Sequence, residues 1–317
     1  MSRGPHARAP RFAAPAALAL GLLCVVGAAP RVWSVDFSSS RLLTGAVRED
    51  DGAPVPGAMV TFQRGDPAHA ITVFTNADGR YRIPFRGAAE PATLRVRRIG
   101  WKDLHLSSLP ESGAGQAVLQ VDLRVERERD PAALAAQLPA NYWYRLLLDK
   151  IEDPDQQEEF KRQCTFCHQQ GNPRTRVVRD EEDWRKLIAL MGRMGGMISR
   201  DLRERLPALL NAAYDPAQAV PALTRDMYRS KIASPPPIEV RRALIEEWEL
   251  GGRASMLHDM VVHPDGRIYS VDMSQDKLYR LDPGILGGRR EVWDIPQGDL
   301  PLGGVFASVD RSGTPNS

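Results

Sequence analysis

The chain has 317 residues, enough for two or three domains of ordinary size. Its 42 Lys and Arg nearly balance 40 Asp and Glu, for a formal net charge of +2, and a hydrophobic share of 43% is ordinary for a soluble globular protein. That balance excludes a nucleic-acid binder, because no basic stripe exists beyond a short patch at Arg95, Arg97 and Arg98.

Residues 1–29 read as a signal peptide. A basic start (Arg3, Arg8, Arg11, no acid) leads into an apolar run from Ala16 to Val26, and Gly27-Ala28-Ala29 offers a small-residue cleavage site before Pro30. The run is too short for a comfortable membrane span. An uncleaved N-terminal anchor is the alternative. The adjacent arginines of a twin-arginine signal are absent, so export is expected to precede folding. Cleavage takes the net charge to about −1, and the expected location is the periplasm or another exported compartment. Cys24 follows Leu23 inside the apolar run and reads as apolar filler, which leaves Cys164 and Cys167 with no disulfide framework to explain them.

Residues 41–126 alternate with period two: Ala58 to Phe62, Ala70 to Phe74, Arg80 to Phe85, Thr93 to Arg97 and Val118 to Leu123. Turn formers separate the runs at Asp51-Gly52, Pro56-Gly57, Asp78-Gly79 and Ile99-Gly100. The pattern predicts a small antiparallel β-sandwich. TGAVREDDGAPVPGAMVTF followed by TNADGRYRIPF resembles the carboxypeptidase regulatory-like family, on a G-x-V strand, a P-x-x-G-A turn and a T-x-x-x-G-x-Y hairpin. The resemblance implies a non-catalytic sandwich that acts as a spacer or docking module, with carbohydrate or a neighbouring domain as its contact.

Residues 130–214 change to helical texture. Apolar residues at three and four spacing predict helices over Pro131 to Leu138, Tyr142 to Ile151, Gln156 to Gln163, Glu181 to Met194 (Asp180 as N-cap) and Arg200 to Tyr214, the last stopping at Asp215-Pro216. Within them, Cys164-Thr165-Phe166-Cys167-His168 is C-x-x-C-H, the attachment signature of c-type haem. Two thiols add to the two porphyrin vinyl groups, and the adjacent His then lies beneath the iron as proximal ligand. A thioredoxin-like dithiol expects a βαβ surround, and structural zinc expects four ligands. Helical flanks and the placing of His69, His105, His258 and His263 in strand or turn segments count against both. The inferred cofactor is one covalent haem c.

EEFKRQCTFCHQQGNPRTR followed by EEDWRKLIALMGRMGG resembles class I-like cytochrome c domains with a W-x-x-x-x-x-x-M helix after the motif. That resemblance implies Met191 as the distal iron ligand. Met194 is the first alternative and Met197 the second, since Gly192, Gly195 and Gly196 loosen this helix end; a core methionine stripe is the plain alternative for all three. A backbone carbonyl of Gly171-Asn172-Pro173 is expected to orient His168. Arg174 and Arg176 stand either beside the haem propionates or on solvated surface, and Trp184 either packs on the haem edge or anchors its helix.

Residues 215–238, with Pro216, Pro221 and Pro235-Pro236-Pro237, read as a stiff linker. In 239–317, strands are expected over Met260 to Val262, Arg267 to Val271, Lys277 to Leu281 and Glu291 to Ile295. HDMVVHPDGRIYSVDMSQDKLYRLDP resembles a blade of the lactonase-like or virginiamycin B lyase-like β-propellers. A blade takes about 40–45 residues and needs neighbours, so the reading expects the propeller to continue past Ser317 or a partner to complete it, with Ala243 to Leu250 as the strand that closes the ring. His258, Asp259, His263 and Asp265 are expected to bond turn and strand backbone.

The fold class expected is therefore multidomain: a β-sandwich, an all-α cytochrome c domain and a partial β-propeller of about one blade. The function expected is single-electron transfer with a redox partner protein or quinoprotein, with no catalytic residues in this chain. The alternative is a haem-bearing part of a propeller-type oxidoreductase or lyase whose catalytic site lies in further blades.

Overall fold

The computed structural model describes residues 41–65, 68–86, 91–109, 117–229, 234–272, 274–284 and 288–295. The expected signal peptide and anchor, 1–29, lie outside the described residues.

The N-terminal strands are β1 (Arg41–Arg48), β2 (Met59–Arg64), β3 (His69–Phe74), β4 (Arg80–Phe85), β5 (Ala92–Arg97), β6 (Leu104–Leu106), β7 (Val118–Gln120) and β8 (Leu123–Arg124). One sheet runs β4-β1-β7, with β8 also on β1; the facing sheet runs β6-β5-β2-β3. Period-two alternation drives both: Tyr81, Ile83 and Phe85 of β4 point inward while Arg80 and Arg82 face solvent. Their partners across the sandwich include Phe62, Ile71 and Leu94, all essentially fully buried.

The sandwich is not purely antiparallel, because β1 pairs in parallel with both β7 and β8. The single strand expected from Val118 to Leu123 is split. At the break a Cβ on Gly45 would come 1.8 Å from Val121 O, so only glycine lets the two backbones approach. Ala46 N then bonds Asp122 Oδ1 at 2.8 Å, and the Tyr81 hydroxyl donates to Val121 O at 2.7 Å.

Helices α1 (Pro131–Gln137), α2 (Ala140–Leu148), α3 (Pro154–Cys164), α4 (Glu181–Arg193), α5 (Arg200–Tyr214), α6 (Pro216–Arg229) and α7 (Ile238–Arg241) follow. Asp130 and Asp153 accept from the first-turn amides of α1 and α3, and each is followed by proline at the first helical position. Asp180 stands before α4 but its side chain makes no capping bond. Trp143, Leu147, Phe160, Trp184, Leu202, Leu206, Leu210, Tyr214 and Leu223 form the helical core.

Segment 215–238, read as a stiff linker, carries α6 over most of its length, and α7 begins at its last residue. Pro216 stops α5 and also starts α6, where its missing N–H costs nothing. Ala219, Leu223 and Met227, four residues apart, bury one face of α6 in the helical core.

The last strands are β9 (Leu244–Trp248), β10 (Leu257–Val262), β11 (Ile268–Asp272), β12 (Lys277–Asp282) and β13 (Arg289–Asp294). β10 to β13 form a four-stranded antiparallel sheet in sequence order. Asp272 is fully buried and knits its first turn, accepting from Met256 N, Ser274 N and Gln275 N. His263 pairs with Asp265 at 2.9 Å and Asp265 accepts from Arg267 N at 2.9 Å, a turn-bonding role.

The expected fold class is overturned. The chain does not divide into a sandwich, an all-α cytochrome c domain and a propeller blade: its described residues form three sheets and seven helices and group as one compact unit. β9, expected to close a propeller ring, pairs antiparallel with β3 and becomes the fifth strand of the sandwich sheet. The open edge of β3 supplies the unpaired backbone groups that draw it in. His69 seals the junction, bonding Glu246 Oε2 at 3.0 Å and stacking on Trp248 at 5.4 Å. The helical layer is not self-contained either. Gln137 of α1 accepts from Gly100 N at 2.9 Å and donates to Trp101 O at 2.8 Å, while Ile99 packs on the helical core.

Among the described residues no helix is long and apolar enough to cross a membrane.

Candidate functional site

Cys164 is the last residue of α3, so the motif leaves the helix at its first thiol. Thr165 Oγ1 bonds back to Lys161 O at 2.5 Å and ends the helix cleanly. The chain then returns beneath α2. Buried Gln170 donates from Nε2 to Cys164 O at 2.6 Å, which staples the loop to the helix end. Gly171 has φ +75°, and a Cβ there would come 2.1 Å from Ala140 O and 2.6 Å from Tyr144 N. Close backbone contact on α2 therefore requires glycine. Asn172 finishes the turn by accepting from Arg174 N and Thr175 N.

Cys164 is half-buried and Cys167 exposed. Burial, helped by Glu159, pushes the Cys164 thiol up to about 12. At pH 8 only about one Cys164 in ten thousand is then a thiolate. In haem-free protein, iodoacetamide is expected to alkylate Cys167 well before Cys164, read by peptide mass spectrometry over time. Equal rates at the two thiols would contradict the described packing.

His168 is exposed, its Nδ1 3.5 Å from Gln169 O. That long contact is with the next residue, not with a carbonyl of Gly171–Pro173 as expected. Arg176 lies over the Trp143 ring at 4.4 Å and donates to Ala136 O at 2.9 Å. Trp184 is buried and donates to Asn211 Oδ1 at 2.9 Å, anchoring α4 to α5.

Met191 lies near the end of α4, Met194 caps it, and Met197 follows in the turn. This turn is tied to α3. Met197 N donates to Gln163 Oε1 at 3.2 Å, Ser199 Oγ donates to Glu159 Oε2 at 2.8 Å, and Ser199 N bonds the other oxygen of Glu159. A Cβ on Gly196 would stand 3.2 Å from Met191 O and 3.3 Å from Gln163 O. The structure thus brings the methionine-bearing end of α4 against the helix end that carries the motif. Gln163, Glu159 and Gln170 make this junction, and sequence reasoning missed all three, since a polar residue gives no sign of its tertiary partner.

The surroundings fit a covalent haem. Two thiols at two-residue spacing are followed at once by an imidazole. Phe166 is 87% and Met197 72% exposed, Leu190 is exposed, and Met191, Met194, Leu187 and Ile188 are half-buried, so apolar surface lies bare around the motif. Among the described residues the buried Tyr144 hydroxyl has no hydrogen-bond partner, and burial, with Cys164 nearby, pushes it up to about 12. Among the described residues no group of three or more His, Cys, Asp or Glu is arranged to hold a metal ion. A haem iron takes at most two axial ligands from protein, so a haem site need not present such a group.

Comparison with known proteins bears on the sandwich. Residues 43–124 match the carboxypeptidase regulatory-like domain. The sandwich strands β1 to β8 are that domain, and β9 is an addition from outside it. No curated protein matches the chain. Among solved structures, chlorocatechol 1,2-dioxygenase from Pseudomonas putida is 17% identical over 30% of this chain and 63% of its own, with a TM-score of 0.22. A shaft pilin from Lactobacillus rhamnosus GG is 17% identical over 28% of this chain and 49% of its own, with a TM-score of 0.21. A 9R-lipoxygenase from Cyanothece is 9% identical over 84% of this chain and 44% of its own, with a TM-score of 0.23. The chain spans less than two thirds of each of these proteins.

Proposed function

We propose that this is an exported electron-transfer protein carrying one haem c on Cys164 and Cys167. The observation that supports the reading is the C-x-x-C-H motif at the exposed end of α3, beside the methionine-bearing end of α4. When bound, the group supplies a reversible one-electron iron couple. Cys164 and Cys167 form the two thioether links and keep the cofactor from being lost after export. His168 would hold the iron through a ring nitrogen and Met191 through its thioether, with Met194 as the alternative. Gln170 and Gly171 fix the loop that carries His168, and Gln163 and Glu159 hold the methionine turn in place. The carboxypeptidase regulatory-like domain, pinned to α1 through Gln137, serves as the docking module that presents this region to carbohydrate or a neighbouring domain.

The test is a spectroelectrochemical titration of protein matured with haem. A single one-electron wave and a low-spin, thioether-ligated spectrum are expected. Met191→Ala is expected to abolish the thioether signature and lower the potential, because a Met ligand raises it, while Met194→Ala leaves both unchanged. The reverse pattern assigns Met194. Retention of the signature in both variants would contradict the ligand set.

A further inference from the structure

Away from the haem motif, the outward face of the sheet β6-β5-β2-β3-β9 carries a cavity of about 450 Å³. Register sets its lining on one face. Arg95 stands opposite Thr61 and His105, Thr93 opposite Gln63, Gln63 opposite Ala70, and Ala70 opposite Glu247. Directly opposed residues share a side of a sheet, and the other side here belongs to the core residues Phe62, Ile71 and Leu94.

Short side chains form the floor. Ala70 faces outward yet is only 9% exposed, and Thr61 bonds Thr72 across the strands at 2.8 Å. The flanks are long and opposite in charge. β5 brings Arg95 and Arg97, with His105 of β6 beside them. β9 brings Glu247, and Glu249 follows it, its amide bonded to Ala68 O at 2.9 Å. Asp103 pairs with Arg95 at 2.5 Å, whereas Arg97, Glu247 and Glu249 are exposed and form no ion pair among the described residues. Gln63 and Thr93, exposed beside the floor, make no side-chain hydrogen bond among the described residues. The acidic flank comes with β9, which lies outside the regulatory-like domain of residues 43–124.

We propose that this trough binds a short peptide with free ends, its carboxylate against Arg95 and Arg97 and its amino group against Glu247 and Glu249. Three strand spacings separate β5 from β9, about 14 Å. A simple anion there would meet two glutamates and a simple cation two arginines, while a compact zwitterion would not reach both flanks. An extended chain advances about 3.3–3.6 Å per residue, so about four residues cover the gap. The peptide's own N–H and C=O groups need partners, and Gln63 and Thr93 offer them. Trp248 at the rim already stacks on His69 at 5.4 Å, so the cavity selects by charge and hydrogen bonding rather than by an open aromatic face. This face and the haem motif share no residue, so binding here is independent of the haem reading.

The experiment titrates the isotope-labelled full chain with tetraalanine and follows its amide NMR signals. Saturable shifts are expected on β2, β3, β5 and β9. Acetylating the amino end or amidating the carboxyl end is expected to weaken binding about threefold or more, the scale of one lost charge contact. Arg97→Gln is expected to weaken the free-ended peptide and leave the amidated one unchanged. Glu247→Gln is expected to weaken the free-ended peptide and leave the acetylated one unchanged. Both residues are exposed, so circular dichroism is expected to be unaltered. No shift at about 10 mM tetraalanine, well above the weakest affinity of interest, would overturn the proposal. Equal affinity for the three peptides would overturn it too, as would maltotetraose, a neutral sugar, shifting the same residues in their place.

Discussion

Exchanging Cys164 and Cys167 together for serine is expected to reduce covalently held haem to background in the purified protein. A hydroxyl does not add to a vinyl group as a thiol does, so neither thioether forms. Either single exchange leaves one possible link and a lower yield. The fold is expected to survive, because Cys167 is exposed, where a substitution shifts stability by about 0.5 kcal/mol or less, and serine nearly matches the size of Cys164, which is only half-buried against the helical core. Unchanged circular dichroism with lost haem would therefore locate the effect in attachment chemistry. His168→Ala separates the roles further. It is expected to keep the covalent link and lose the low-spin spectrum, because only the proximal nitrogen is removed. A double-serine variant that still retained haem through acid–acetone extraction would remove the thiols from the account.

Phe160→Ala is expected to destabilise the protein by roughly 3–5 kcal/mol, the usual cost of deleting a buried aromatic side chain and leaving a cavity. Phe160 is 2% exposed and belongs to the helical core, where its ring lies 6.0 Å from that of Tyr144. It is also the only buried residue of α3, so most of the helix's hold on the core passes through it. The consequence reaches the motif, since Cys164 ends the same helix. Haem yield is expected to fall together with the urea midpoint, and Phe160→Leu to recover much of both. An alanine variant with an unchanged midpoint would show that α3 is held by its surface bonds to Asp201 and Ser199 rather than by its core face.

What was legible in the sequence follows the range of the interactions involved. C-x-x-C-H is five contiguous residues, so its reading needs no tertiary information. The sandwich strands were legible because burial on one face imposes alternation along a single segment, as in Tyr81, Ile83 and Phe85. β9 was not legible as a sandwich strand. Its partner β3 lies far back in the chain, with His69 and Glu246 separated by 177 positions, and nothing in Leu244 to Trp248 records which open edge it will join. α6 is hard to see in sequence because Pro216 and Pro221 weigh toward extended chain, although Ala219, Leu223 and Met227 carry the opposing four-residue signal. The split between β7 and β8 depends on Gly45 meeting Val121, a contact visible only once β1 and the later segment are side by side.

The candidate site divides in the same way. Cys164, Cys167 and His168 were legible as residues, while the surroundings that hold them were not. Gln163, Glu159 and Gln170 fix the loop and the methionine turn through bonds to backbone or to Ser199, and any of them passes in sequence for a solvated polar residue.

The most direct test of the central claim is the mass and spectrum of the protein after co-expression with the c-type maturation machinery and acid–acetone extraction. The account predicts an intact mass raised by one haem, a reduced haemochrome spectrum of the c type, and loss of both in the Cys164→Ser, Cys167→Ser variant. A protein matured in this way that leaves extraction at its unmodified mass, with both thiols free, would contradict it.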